Sequence, residues 1–294
     1  MRVIIWGCGD YGRKILPNLI EQGDKEIIAY TDSNEKLWGQ KVLSIPVISP
    51  EQIRNTVFDL LLIVVSSPGA VRHIKEYIGK LHISKNKIVD VFTDIDYMDL
   101  FADQRTRFIK GYADWINKNN IEGNVAEWDV CRGDSAKFIN RYFPNRKLYM
   151  CDTFEGFDSE DLQYEKDKDN KYFNQSKFAD QSFFVDTGVD YVMCKMMYPE
   201  NVVIKKGYFP ESMSGVEDKF CFVNLDMDLY IPMLNGLRFF WDKMIQGGCI
   251  LMHDYFSNLF AGVKQAVDIF EKEREINIVK SPIGDGSSIA LFFI

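Results

Sequence analysis

The sequence predicts an α/β protein with a seven-stranded doubly wound sheet, preceded by a smaller parallel-sheet domain. Three observations carry this. Short β-branched runs alternate with helical segments along most of the 294 residues, as parallel sheets require. Two strand-turn-helix starts occur, GCGDYG near residue 7 and AEWDVCRGDS near residue 126. Two apolar runs, KFCFVNL and GGCILM, end in acids or histidine, which places those side chains at the carboxyl edge of a sheet, where open α/β folds hold ligands.

Residues 1–93 form the first expected domain. VIIW leads into GCGDYG and an amphipathic helix through Ile20, and EIIAY then ends at Asp32. A turn-rich segment follows, then LLLIVVSS, a helix around Val71 to Leu81 and the strand KIVDV. Apolar residues at helical spacing (Tyr97, Leu100, Phe101, Phe108, Ile109, Tyr112, Trp115, Ile116) predict one long connecting helix over 94–118.

The second domain, 119–294, opens with the strand NVAEWDV, a helix from Ser135 to Tyr142 and the strand KLYMCD. Strands NVVIKKG and KFCFVNLDMD, a helix from Met233 to Met244 and the strand GGCILMHD come next. A helix from Ala261 to Lys272 and the strands INIVK and SSIALFF close the pattern. A polar insert from Phe157 to Phe184 interrupts it, and its composition suits a lid and a solvated loop equally. Tyr230 and Pro232 are expected to shape the turn into the following helix.

A net charge of -8 with an apolar content of 46% predicts a globular chain and argues against nucleic acid or an anionic membrane as partner. No apolar run is long enough to span a bilayer, and Met1 and Arg2 lead directly into a strand, so a cytoplasmic protein without membrane insertion is expected. The six cysteines show no metal-ligand spacing and read as reduced, mostly buried thiols. Of three histidines, only His253 lies at a strand tip of the larger domain.

Gly7, Gly9 and Gly12, answered by Asp32 at the next strand tip, have the spacing of a dinucleotide loop. The same glycines would serve strand-to-helix packing alone, so nucleotide or NAD binding and a purely structural role stand level there. In the second start, Glu127 lies in the strand and Gly133 before the helix, and Asp152 is placed to hold a ribose. No phosphate-cradling lysine accompanies them, which suggests adenosine without polyphosphate. Asp226, His253 and Asp254 come from adjacent strands and suit a hard divalent cation such as Mg²⁺ better than a plain hydrogen-bonded cluster. Asp228 points the same way as Asp226, as a further ligand or as an outer orienting group.

The blocks NVAEWDVCRGDSAKFI, LYMCDTFEGF, KKGYFPES, FVNLDMDLYIPMLNGLRFF, GGCILMHDY, GVKQAVDIF and DGSSIALFF resemble the macrocin O-methyltransferase family of S-adenosylmethionine-dependent enzymes over residues 119–294. The resemblance implies methylation of a sugar hydroxyl, usually with a divalent metal held here by Asp226, His253 and Asp254. It also implies cofactor contacts from Glu127, Gly133 and Asp152, with Asp129, Thr153 and Phe154 adjoining, and substrate or lid contacts near Phe154 to Phe157. The first domain more weakly resembles small Rossmann-like modules of bacterial sugar-modifying and polysaccharide-biosynthesis proteins, through the glycine loop, Asp32 and IPVISPEQI.

One departure from the family pattern stands out: Asp129 occupies a glycine position. An ionised carboxylate ~4 Å from the cofactor carboxylate would cost ~4 kcal/mol at an effective dielectric of ~20, unless Asp129 turns to the cofactor ammonium or pairs with Arg132. The expected activity is therefore methyl transfer to a sugar hydroxyl of a glycan, nucleotide-sugar or glycosylated metabolite. The rivals are a catalytically impaired binding protein of the same fold and, last, NAD-linked redox chemistry in the first domain. A small-molecule or glycan substrate is the expected partner, and a homo-oligomer is compatible with the sequence.

Overall fold

The computed structural model describes residues 1–94, 96–97, 100, 102–180 and 187–294, and its Cα packing separates two units, Met1–Ala102 and Asp103–Ile294. Phe101 of the expected helical face and Phe184 at the end of the insert lie outside the described residues. Among the described residues, no helix is long and apolar enough to cross a membrane. Cys8, Cys151, Cys221 and Cys249 are buried thiols, and Cys194 is exposed.

In the first unit, β1 (Arg2–Trp6) is followed by α1 (Asp10–Glu21) and β2 (Glu26–Thr31). A short hairpin, β3 (Lys41–Val42) with β4 (Ile45–Ile48), precedes β5 (Leu60–Ile63), α2 (Pro68–Lys80) and β6 (Ile88–Asp90). The sheet order is β3-β4-β2-β1-β5-β6, parallel except for the β3–β4 pair. Ile15 and Leu19 of α1 bury against one face, and Val71, Ile74 and Ile78 of α2 against the other. The hairpin lies in the segment read from sequence as turns only. Leu43 and Ser44 take positive φ at its corner (49° and 71°), a conformation normally announced by Asn-Gly.

The second unit begins with α3 (Gln104–Lys118), shorter than the helix expected over 94–118. Asp103 stops it by accepting the Thr106 N–H at 2.9 Å as an N-cap, while Leu100 packs in the core of the first unit. β7 (Asn124–Trp128), α4 (Ala136–Tyr142), β8 (Leu148–Asp152), α5 (Ser159–Asp167), α6 (Lys171–Asn174), α7 (Val189–Met193) and β9 (Val202–Lys206) follow. β10 (Phe220–Leu225), α8 (Tyr230–Trp241), β11 (Met244–Met252), α9 (Gly262–Arg274), β12 (Val279–Pro282) and β13 (Ile289–Phe292) complete the fold.

Seven strands run in the order β12-β13-β11-β10-β7-β8-β9, with only β13 antiparallel to its neighbours. Residues of α8, α9 and α5 fill one face, and residues of α3, α4 and α7 fill the other, each buried Leu or Phe contributing about 1.5–3 kcal/mol of transfer energy. β7 connects through α4 to β8 on one side and lies against β10 on the other, so the strand order reverses between β7 and β10. Crevices form at such a reversal.

The insert is anchored. Leu162 and Phe173 enter the core, and the Glu165 carboxylate accepts the Tyr230 N–H at 2.8 Å. That external cap lets α8 start at Tyr230, so Tyr230 and Pro232 form its first turn, three residues ahead of the expected start.

Candidate active site

The pleat explains which side chains meet. Asn224 pairs in register with Glu127, and Leu225 with both Trp128 and Met252, so the tips of β7, β10 and β11 are level. Just past them the backbone turns sharply: Asp129, Cys131, Asp228 and Asp254 all have positive φ, as does Phe154 after β8. Non-glycine residues rarely accept that conformation, and they gather at functional edges.

Asp226, His253 and Asp254 come together as the strand pattern implied, each offering a ligand atom within 4.8 Å of the others. His253 Nδ1 lies 3.0 Å from Asp226 Oδ1 and 2.7 Å from Asp254 Oδ2. Two carboxylates and an imidazole are a donor set a divalent cation accepts. Burial alone would push the imidazole down, but Asp226 and Asp254 outweigh it and raise His253 to about 10. Burial likewise opposes ionisation of Asp226, yet Arg105 and His253 hold it well below the usual carboxylate range.

Arg105 carries no sequence signal and proves central. From the first turn of α3 its Nη1 and Nη2 both donate to Asp226 Oδ2 at 2.9 Å, and Nη2 also donates to Asn224 Oδ1 at 2.9 Å. Asn224 Nδ2 in turn donates to Glu127 Oε1 at 2.8 Å, and the Ser135 hydroxyl donates to that same oxygen. One chain of charge-assisted bonds therefore links the acids of β7 and β10.

Glu127 is fully buried, and burial raises its carboxyl to about 8 against the opposing pull of Ser135 and Arg105. Its Oε2 is buried and has no protein hydrogen-bond partner. An oxygen so placed calls for a donor from a bound molecule, and the ammonium of a methionine moiety fits it. Asp152 accepts the Cys131 N–H through Oδ2 and the Phe154 N–H through Oδ1, both at 2.6 Å, tying together the loops after β7 and β8. The Thr153 hydroxyl donates to Gly156 O at 2.9 Å and closes the turn. Gly133 (φ 71°) is required by packing, since a Cβ there would lie 2.8 Å from Val192 Cγ1 on α7. Fully buried Lys195, also silent in the sequence, fixes the same loop by donating to Arg132 O at 2.6 Å and Asp134 Oδ1 at 2.8 Å.

The Asp129 carboxyl hydrogen-bonds to Asp152; burial first, then the charges of Asp152 and Asp226, raise it well above the carboxylate range. A raised proton affinity would lessen the repulsion expected for a cofactor carboxylate, by a route different from the two read in the sequence. Asp228 is raised in the same direction by burial and by Asp226, Asp254 and Asp129. Two clefts share Asp129 and Cys131. One runs past Trp128, Asp152, Thr153 and Tyr208, and the other, about 400 Å³, past Asp226, Asp228, His253, Asp254, Phe178 and Phe260. The insert contributes Phe157, Asp158 and Asp161 to the first and Phe178 to the second.

In the first unit, Gly12 could carry no Cβ, which would lie 1.9 Å from Gly7 O, and a Cβ on Gly7 would meet Val64 O at 2.7 Å. Gly9 faces open space. Asp32 Oδ2 accepts the Cys8 N–H at 2.8 Å and Oδ1 the Asn34 N–H at 2.9 Å, so this acid braces its own loop.

The model of the family described as Macrocin-O-methyltransferase (TylF) matches residues 98–293, and that described as C2185-like, N-terminal matches residues 1–89. Among solved structures, the O-methyltransferase NovP is similar at 19% identity and a TM-score of 0.55, over 66% of this chain and 81% of that one. The calicheamicin methyltransferase CalS11 is similar at 17% identity and a TM-score of 0.50, over 77% and 93%. No curated protein gives a match. The matched model spans the sheet, the Glu127 loop and the Asp226–His253–Asp254 cluster together, and the chain belongs to the macrocin O-methyltransferase family of S-adenosylmethionine-dependent O-methyltransferases.

Proposed function

We infer that this enzyme methylates a sugar hydroxyl with the help of a divalent cation at Asp226, His253 and Asp254. The observation that carries the reading is the convergence of those three ligand atoms within 4.8 Å in a cleft that shares Asp129 and Cys131 with the cofactor side. S-adenosylmethionine supplies an electrophilic methyl, and a cation so held would supply Lewis acidity toward the acceptor hydroxyl. The residues do the positioning. Glu127 Oε2 receives the ammonium, Asp152 orients the ribose, and Arg105 fixes Asp226 through Oδ2, leaving Oδ1 beside His253. Asp228, 8% exposed and lining the same cleft, hydrogen-bonds to Asp254 and would orient that ligand.

Methyl transfer to nucleotide-sugars and glycosides, followed through S-adenosylhomocysteine release, tests the reading. Activity should vanish with chelator and return with Mg²⁺ and at least as well with Mn²⁺, because one donor is imidazole nitrogen. Asp254→Asn should lower kcat at least a hundredfold. Full activity in chelator, or an Asp254→Asn enzyme as fast as wild type, would remove the cation from the mechanism.

A further inference from the structure

The first unit contains a cleft of about 450 Å³ that neither the glycine loop nor the catalytic acids line, a volume typical of small-molecule sites (about 300–1,000 Å³). Trp6, Trp38, Tyr77, Ile74 and Pro50 make its apolar lining. The platform is braced. Trp38 Nε1 donates to Asp32 O at 2.8 Å, the Tyr77 ring meets Trp6 edge-on at 6.0 Å between centroids, and the Tyr77 hydroxyl donates to the Glu51 carboxylate. Trp6 is 2% exposed, and its buried indole N–H has no protein partner. An unpaired donor in the cleft wall would be satisfied by an acceptor from a bound molecule.

Around the mouth stand Ser33, Glu35, Glu51 and His73, all exposed. Two carboxylates there accept hydroxyl donors and repel phosphates, which disfavours a phosphorylated ligand in this cleft. The ligand that matches an aromatic wall, a single inner donor and an acceptor-rich anionic mouth is an uncharged ring with apolar C–H faces and a hydroxyl perimeter. We propose that the cleft lined by Trp6, Trp38 and Tyr77 binds a neutral sugar ring, as a site separate from the methyl-transfer centre. The assignment does not rest on the catalytic reading.

Saturation-transfer NMR on the full chain tests it, with the methyl glycosides of glucose, galactose, mannose and rhamnose as probes and AMP as comparison. At least one glycoside should receive saturation and titrate in the millimolar range, and AMP should not displace it. Trp38→Ala and Tyr77→Ala should each weaken binding about tenfold or more, with S-adenosylhomocysteine affinity unchanged as the sign of an intact chain. Trp6→Phe, which keeps the ring but removes the N–H, should weaken it about fivefold, the value of one neutral hydrogen bond. The assignment is overturned if no glycoside is saturated, if AMP displaces the glycoside, or if Trp38→Ala binds as wild type does. Methyl-transfer activity is assayed independently, so failure here leaves the catalytic reading untouched, and the reverse holds as well.

Discussion

The raised proton affinity of Asp129 beside Asp152 bears on what an acid at a glycine position does. Ionised, Asp129 would repel the cofactor carboxylate by ~4 kcal/mol, roughly a thousandfold in affinity; neutral, it adds a hydrogen-bond donor. Asp129→Asn should therefore bind S-adenosylhomocysteine within about threefold of wild type in calorimetry at pH 7, and a gain of a hundredfold or more would show the native residue to be charged. The pH dependence of stability follows from two neighbours. His253, at about 10 in the folded chain, lies above its ordinary value of 6.5, so its stabilisation is complete below pH 6.5 and is lost as pH rises through 10. Glu127, raised from 4.5 to about 8, penalises the folded state increasingly between those values. Cation-free protein should accordingly show a lower urea midpoint at pH 9 than at pH 6. The loss between pH 7 and 10 should be smaller in His253→Gln, and an equally steep loss there would assign it elsewhere. The sequence placed Asp226, His253 and Asp254 correctly because strand tips are legible from apolar runs. It could not show the raised proton affinity of Asp129, which depends on burial and on a carboxyl from the next strand.

Among elements, α3 shows how a helix at the start of a unit governs its chemistry. Arg105 sits two residues after the Asp103 cap and reaches the tip of β10. Nothing in its local sequence separates it from a solvated arginine. Removing it leaves Asp226 with a buried charge opposed only by His253, and breaking such pairs costs about 3 kcal/mol or more. Arg105→Met should lower the thermal midpoint and weaken cation activation. Arg105→Lys, which lacks the planar fork needed to span Asp226 and Asn224, should recover stability better than it recovers activity. A wild-type KM and kcat in Arg105→Met would exclude the positioning role. Element types were readable where periodicity ran long, as in β10 or α9. They failed at the β3–β4 hairpin and at the start of α8, where the deciding features are a Leu-Ser corner and a glutamate distant in sequence.

For the whole molecule, two separately cored sheets imply that ligands of one unit stabilise that unit by mass action. Hydrogen exchange with saturating S-adenosylhomocysteine should slow at the loops after β7 and β8 and in α5, with residues 1–94 unchanged; slowing confined to residues 1–94 would place the cofactor in the wrong unit. The left-handed corners at Asp129, Cys131, Phe154, Asp228 and Asp254 carry a last consequence. Each holds a conformation that glycine would adopt more easily, at a cost of order 1 kcal/mol. Mutants selected only for heat resistance would tend to gain glycine at these five places, and at Asp228 and Asp254 each such gain would delete a group the proposed chemistry uses, so tolerance and turnover would oppose one another along this single rim.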